Sequence, residues 1–119
     1  MTDTIDSFEE AVAYALTLPD TELSTSYGKP AVKVKSNGRA FLYTGHEHQS
    51  SFGIAIDLDT LEILKETDPD TFFQTPHYEG WPAVLIRFDS DDPERVRAMI
   101  TRSRDWTAAK PPPKARKRK

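Results

Sequence analysis

Three histidines are the residues in this chain best suited to catalysis or metal binding. His46 and His48 flank Glu47, and alternate residues of a strand point to the same face, where two imidazoles could share a metal ion. Such a site needs a third ligand, and the sequence offers only acids or the distant His77. We therefore favour a solvated loop around these histidines and expect no metal.

His77 lies in an aromatic segment, TPHYEGWP, beside Tyr78 and near Trp81. A histidine among aromatic rings can shuttle a proton or contact a ligand. No serine or carboxylate is placed by the sequence as its partner, so a half-buried structural role is favoured over catalysis. Together with Tyr27, these residues define a candidate ligand surface: Tyr27, His77, Tyr78 and Trp81.

Several chemistries are excluded or left unsupported by composition. The chain has no cysteine, which excludes disulfides, thiolate metal sites and cysteine nucleophiles. No glycine-rich phosphate loop occurs, and we expect no cofactor. Aspartates such as Asp57, Asp59 and Asp92 flank strand ends and helix starts, where capping explains them. We expect a protein that is not an enzyme.

Charge is distributed unevenly along the chain. The total of 16 basic and 19 acidic residues gives a net charge of −3. Residues 1–109 hold ten basic residues against all nineteen acids, a net charge of −9. The remaining six cations are Lys110, Lys114, Arg116, Lys117, Arg118 and Lys119. This basic tail is suited to phosphate, whereas the acidic body on average repels it.

The length of 119 residues indicates one domain, at 1–109, with its own core. Three prolines and repelling cations predict that 110–119 is disordered. The acidic, polar N-terminus does not resemble a signal peptide, and no apolar run approaches the roughly 20 residues of a membrane span. We expect a soluble, cytoplasmic protein.

A hairpin at 30–44 organises the predicted fold. Asn37-Gly38 separates two alternating runs and predicts a type I′ turn, in which both central residues take positive φ. Val32 and Val34 point to one side of this hairpin, and the rest of the chain is expected to pack on its buried face.

Helices and further strands follow from capping and periodicity. A capping box predicts a first helix starting at Asp6 or Ser7. Asp92-Pro93 predicts the start of the last helix. Between them we expect a polar loop at 20–29 and a strand at 52–58. A short helix capped by Asp59 or Thr60 should follow, then helical turns with Phe72 and Phe73. A buried strand is expected at 83–88. The expected class is α+β, with an antiparallel sheet of four to five strands and helices packed on one face.

The order of several segments resembles the MmcQ/YjbR family. The segments on which the resemblance rests are the LP turn, YGKPAVKV leading into the hairpin, FGIAIDL, DPDTFFQTPHYEGWPAVLIRFD and the final DPERVRAMI helix. The resemblance covers nearly all of residues 6–106. It implies a CyaY-like, double-wing α+β fold and a family often labelled DNA-binding, without established enzyme activity.

Two functions are therefore considered. The first is non-catalytic, salt-sensitive and non-specific binding of DNA or RNA, with phosphate contacts from the basic tail and from Lys33, Lys35 and Arg39. The second is a protein- or small-ligand-binding module that uses the candidate ligand surface. The oligomeric state is not indicated by the sequence.

Overall fold

The computed structural model describes residues 5, 7–26, 28–44, 51–76, 80–88, 90 and 92–111. In chain order the elements are α1 (Phe8–Leu16), β1 (Thr21–Ser26), β2 (Lys29–Val34), β3 (Ala40–Thr44), β4 (Ser51–Ala55), α2 (Leu58–Thr67), β5 (Phe72–Phe73), β6 (Ala83–Arg87) and α3 (Pro93–Ala108). All neighbouring strands are antiparallel, in the order β1-β2-β3-β4-β6-β5. None of these helices has both the length and the apolar composition needed to cross a bilayer.

One face of the sheet carries the core. Residues opposite each other in an antiparallel sheet point to the same face, and the row Val32, Leu42, Ile54 and Val84 runs across four strands. All four side chains are buried in one hydrophobic cluster. The helices contribute Ala11, Ala15, Leu61, Leu64, Val96 and Ile100 to the same cluster. The α+β class, with helices packed on one face, is thereby confirmed.

The sheet has six strands, not the four to five expected from the sequence. The segment predicted as a polar loop at 20–29 contains β1, which pairs with β2 from Thr21 opposite Val34 onwards. Phe72 and Phe73, predicted in helical turns, form the short edge strand β5 beside β6. Both errors concern edge strands, whose conformation is imposed by pairing with a neighbour more than by their own composition.

A shift of register in β3 places two successive side chains in the core. Val32 lies opposite Leu42, whereas Lys33 lies opposite Ala40, so Phe41 is an extra residue on β3. In such a bulge two residues oppose one on the partner strand. Phe41 and Leu42 are both fully buried in the same cluster, and strict alternation would have sent one of them to the opposite face.

Each helix begins with a side-chain cap. Ser7 Oγ accepts from the Glu10 backbone N–H at 3.2 Å, and Asp92 Oδ1 accepts from the Arg95 N–H at 3.2 Å, as the sequence predicted. The cap of α2 is Asp57, not Asp59 or Thr60. Its Oδ2 accepts from Thr60 Oγ1 at 2.8 Å and from the Thr60 N–H at 3.1 Å.

The hairpin between β2 and β3 is closed by a four-residue loop, and the type I′ prediction is wrong. Among these residues only Gly38 has positive φ, at 71°. The Gly38 N–H donates to Val34 O at 2.8 Å, and the Val34 N–H donates to Arg39 O at 2.9 Å. Four-residue hairpin loops are commonly built in this way, and Asn37 keeps an ordinary backbone conformation.

The side chain of Asn37 joins this loop to the end of α3. Its Nδ2 donates to Thr107 O at 2.8 Å and to Lys110 O at 3.0 Å, and its Oδ1 accepts from the Arg39 N–H at 3.0 Å. The residue is only 7% exposed. Thr107 is in the last turn of α3, where carbonyl groups lack partners within the helix, and Lys110 follows the helix directly. The loop and the C-terminus of α3 are therefore held as one unit.

We predict that Asn37→Ala lowers the free energy of unfolding by about 1–3 kcal/mol, because it removes the hydrogen bonds that this side chain donates to Thr107 O and Lys110 O. Urea denaturation followed by circular dichroism measures the change. Ser36→Ala, in the same loop but exposed, is the matched control and should stay close to wild type. Equal losses in the two variants would contradict the role of the Asn37 amide.

A second prediction concerns Asp57. Burial alone would raise the pKa of its carboxyl group, but the hydrogen bonds from Thr60 and the attraction of Arg102 outweigh it, and the pKa lies below the ordinary 3.8. A depressed pKa adds stability above pH 3.8 that is lost as pH falls through the folded-state pKa. Wild type should therefore be more stable than Asp57→Asn near neutral pH, and the difference should shrink in acid.

Urea denaturation of both proteins at several pH values checks this. Asp70→Asn, at an exposed position without a hydrogen bond in the described ranges, should show no such pH-dependent difference from wild type. A gap between wild type and Asp57→Asn that is the same at every pH would contradict the prediction.

Candidate nucleic-acid interface

Three of the predicted phosphate-binding residues meet at one end of the molecule, which we call the basic end: Lys35, Arg39 and Lys110. Lys35 and Arg39 flank the β2–β3 loop, and Arg39 Nε donates to Pro111 O at 2.6 Å. Asn37 holds Lys110 O beside them. The chain therefore leaves α3 directly over the hairpin loop, and Pro111 leads into the rest of the basic tail.

Lys110 is held by an aromatic ring. Its Nζ lies 3.7 Å from the centre of the Trp106 ring, a cation–π contact. Burial lowers the pKa of the Lys110 ammonium below its usual value, and the nearby Arg39 guanidinium lowers it further. Two like charges held close together, without an acid between them, favour an anion as the group that relieves their repulsion.

The three cations of the basic end have no carboxylate partner within the described ranges: Lys35, Arg39 and Lys110 form no ion pair. On α3, by contrast, Arg104 Nη1 lies 2.7 Å from Asp105 Oδ1 and Arg102 Nε lies 3.5 Å from Asp57 Oδ1. The Asp20 carboxylate is close to the hairpin loop, because its Oδ2 accepts from the Ser36 N–H at 3.3 Å. The basic end therefore brings three cations together near one acid.

Lys33, the third predicted cation of the hairpin, lies elsewhere. It is opposite Glu22 on β1 and Ala40 on β3, on the face of the sheet that the helices leave uncovered. We call this the open face. It is crossed by one row of residues from edge to edge: Ser24, Ala31, Tyr43, Gly53, Leu85 and Phe73.

The open face combines aromatic rings with cations. A Cβ on Gly53 would fall 2.6 Å from Tyr43 Cε1, so the Tyr43 ring occupies the space that the glycine leaves. The Arg87 guanidinium stacks on the Phe73 ring, 4.1 Å from its centre. No function was predicted from the sequence for Tyr43, Phe73 or Arg87. Ala83–Arg87 is apolar up to Arg87 and shows no alternation, so only the register shows that these residues share a face.

Other predicted site residues lie outside the described residues. These are Tyr27, His77 and Tyr78 of the candidate ligand surface, Lys114, Arg116, Lys117, Arg118 and Lys119 of the tail, and the His46-Glu47-His48 cluster. Trp81, the remaining member of the candidate ligand surface, is 65% exposed. Over the described ranges, no three histidine, aspartate or glutamate side chains are grouped as metal ligands.

Comparison with known proteins agrees with this architecture. The chain is similar to the crystal structure of Deinococcus radiodurans protein DR2400, which has a DUF419 domain. The TM-score is 0.65 at 15% sequence identity, over 83% of this chain and 75% of that one. At this identity the likeness concerns the fold. No curated protein matches the chain. A family model, YjbR, matches residues 16–106, and the chain therefore belongs to the YjbR family.

Proposed function

We propose that this protein binds nucleic acid without catalysis, through phosphate contacts at the basic end and along the tail that follows it. The observation that carries the proposal is the hydrogen bond from Arg39 Nε to Pro111 O. It starts the tail beside Arg39 and Lys110. The other five cations of the tail follow Pro111 within eight residues of sequence.

The charges support a non-specific mode of binding. Lys35 and Arg39 join Lys110 at the same end of the molecule, the sequence continues with five further cations after Pro111, and the body as a whole is acidic. Phosphate contacts fix a protein on the nucleic-acid backbone but do not read the sequence of bases. If all eight cations met phosphates of a duplex, log K would fall with log salt at a slope near −7, by the rule of about 0.9 per contact.

The test compares three proteins in a salt titration on a short random-sequence duplex. One is the full chain, one ends at Pro111, and one carries Lys35→Gln with Arg39→Gln. Ending at Pro111 keeps the carbonyl groups that Asn37 and Arg39 hold. We expect truncation to reduce the steepness of the slope by about 4 to 5 and the double substitution to reduce it by about 2.

Lys65→Gln is the matched control for loss of charge, because α2 contacts β5 and β6 rather than the hairpin loop. It should leave the slope unchanged. An unchanged slope in both the truncated protein and the double variant would exclude the basic end as the site.

A second candidate function is binding of a protein or small apolar ligand at the candidate ligand surface, favoured by the exposure of Trp81. Gln74 Nε2 donates to Trp81 O at 3.1 Å and to Ala83 O at 2.8 Å, so the backbone beside this exposed indole is held in place. A fixed, exposed aromatic ring is typical of binding sites.

Titration with the apolar dye 1-anilinonaphthalene-8-sulfonate tests this candidate. If the surface binds apolar groups, Trp81→Ala should weaken dye binding several-fold without changing the unfolding transition. Leu23→Ala, at another exposed large apolar side chain, on the edge strand β1 (58% exposed), is the control. Equal dye binding by Trp81→Ala and wild type would exclude Trp81.

A further inference from the structure

We propose that the open face of the sheet is a stacking platform for single-stranded nucleic acid, with Tyr43 and Phe73 as the stacking rings and Lys33 and Arg87 as phosphate contacts. The inference rests on the proposed function, because it takes nucleic acid as the ligand, and it adds a second surface and a strand preference.

Charge on the strands is the first argument. The six strands contain four charged residues, Glu22, Lys29, Lys33 and Arg87, and the register places all four on the open face. This face therefore carries three cations against one acid, in a body whose net charge is −9. Such local reversal of charge suits a polyanion.

The aromatic residues are the second argument. Tyr43 and Phe73 lie in the same row, and both residues are half-buried, so neither is fully enclosed. Every base has a π-face, so base–aromatic stacking gives affinity without requiring a sequence. Gly53 and Leu85, which lie between them in the row, are buried, and the Tyr43 ring covers Gly53.

Arg87 is both one of the strand cations and a partner of an aromatic ring. Its guanidinium stacks on Phe73, and in the described part of the chain it makes no hydrogen bond or ion pair with another side chain. An arginine held flat on a ring keeps its N–H donors in the plane of the guanidinium, where they can reach a phosphate beside a stacked base.

The separation of the rings selects single strands. The backbone positions of Tyr43 and Phe73 are three strand spacings apart in the order β3-β4-β6-β5, or about 14 Å, and the Tyr43 ring leans over Gly53 toward Phe73. Successive bases in a duplex strand are about 3.4 Å apart and are already stacked on each other. Bases become available to protein rings when they are unpaired and splayed. The two rings therefore fit non-adjacent bases of an extended single strand.

The experiment measures fluorescence anisotropy with three labelled 12-mers: oligo-dT, oligo-rU and an abasic oligodeoxynucleotide with the same phosphates. The proteins are the full chain and the double variant Tyr43→Leu with Phe73→Leu, which keeps apolar side chains on the sheet. We expect wild type to bind dT at least about tenfold more tightly than the abasic strand. The double variant should lose that preference and keep its affinity for the abasic strand.

Phe88→Leu is the matched control, because its ring stacks on Phe52 in the core, with centroids 5.6 Å apart. It should retain the preference for dT, and a urea transition for each variant shows that it is folded. Comparison of oligo-rU with oligo-dT shows whether the protein prefers RNA or DNA. Tight binding of either strand agrees with stacking on unpaired bases.

Three outcomes would overturn the platform: equal binding of dT and abasic strands by wild type, an unchanged preference in the double variant, or a dimer that the double variant converts to monomer, since a second copy would then cover this face.

The chain ending at Pro111 separates the two proposals. Weaker binding of both strands with the dT preference intact assigns phosphate binding to the tail and base stacking to the sheet. Unchanged binding of both strands would reject the tail and leave the platform standing.

Discussion

The carboxamide of Asn37 is the constraint on which the proposed interface depends. It is buried, it accepts one hydrogen bond within its own loop, and it donates two to carbonyl groups at the end of α3. At Thr107 O the amide adds a second hydrogen bond to the one from the Lys110 N–H at 3.1 Å, and at Lys110 O it supplies a donor just beyond the helix. The same contact decides where the chain leaves the domain, and hence that Lys110 and Pro111 meet Arg39 and not some other part of the acidic surface.

One face of the sheet builds the hydrophobic core, and the other carries the residues of the proposed stacking platform. On the helix side, the apolar row and the bulge at Phe41 build a single core, and Ser103 Oγ donates to Phe41 O at 3.1 Å from within α3. On the other side, small and aromatic residues alternate with the strand charges. Because a strand sends successive side chains to opposite faces, one set of strands serves both purposes.

Local features were predictable from the sequence, and long-range ones were not. The caps at Ser7 and Asp92 depend on residues three positions away and were identified correctly. β1 was missed because TELSTS is polar, and its extended conformation comes from pairing with β2. The cations of the basic end were recognised by type. That Lys110 joins Arg39 depends on Asn37, whose partner Thr107 is 70 residues away. The position of Lys33 on the open face follows from the strand register.

The order of the strands has a consequence for how the chain folds. From β1 to β4 each strand lies beside its predecessor in the sequence, and only β5 and β6 exchange places. Pairings between neighbours in sequence cost little loop-closure entropy, so residues 21–55 can form a meander early. α3 must then close contacts over 62 residues to Phe41 and 70 residues to Asn37. We therefore expect the end of the molecule that carries the basic tail to form after the meander. Its backbone amides should become protected from hydrogen exchange only when the whole domain has folded.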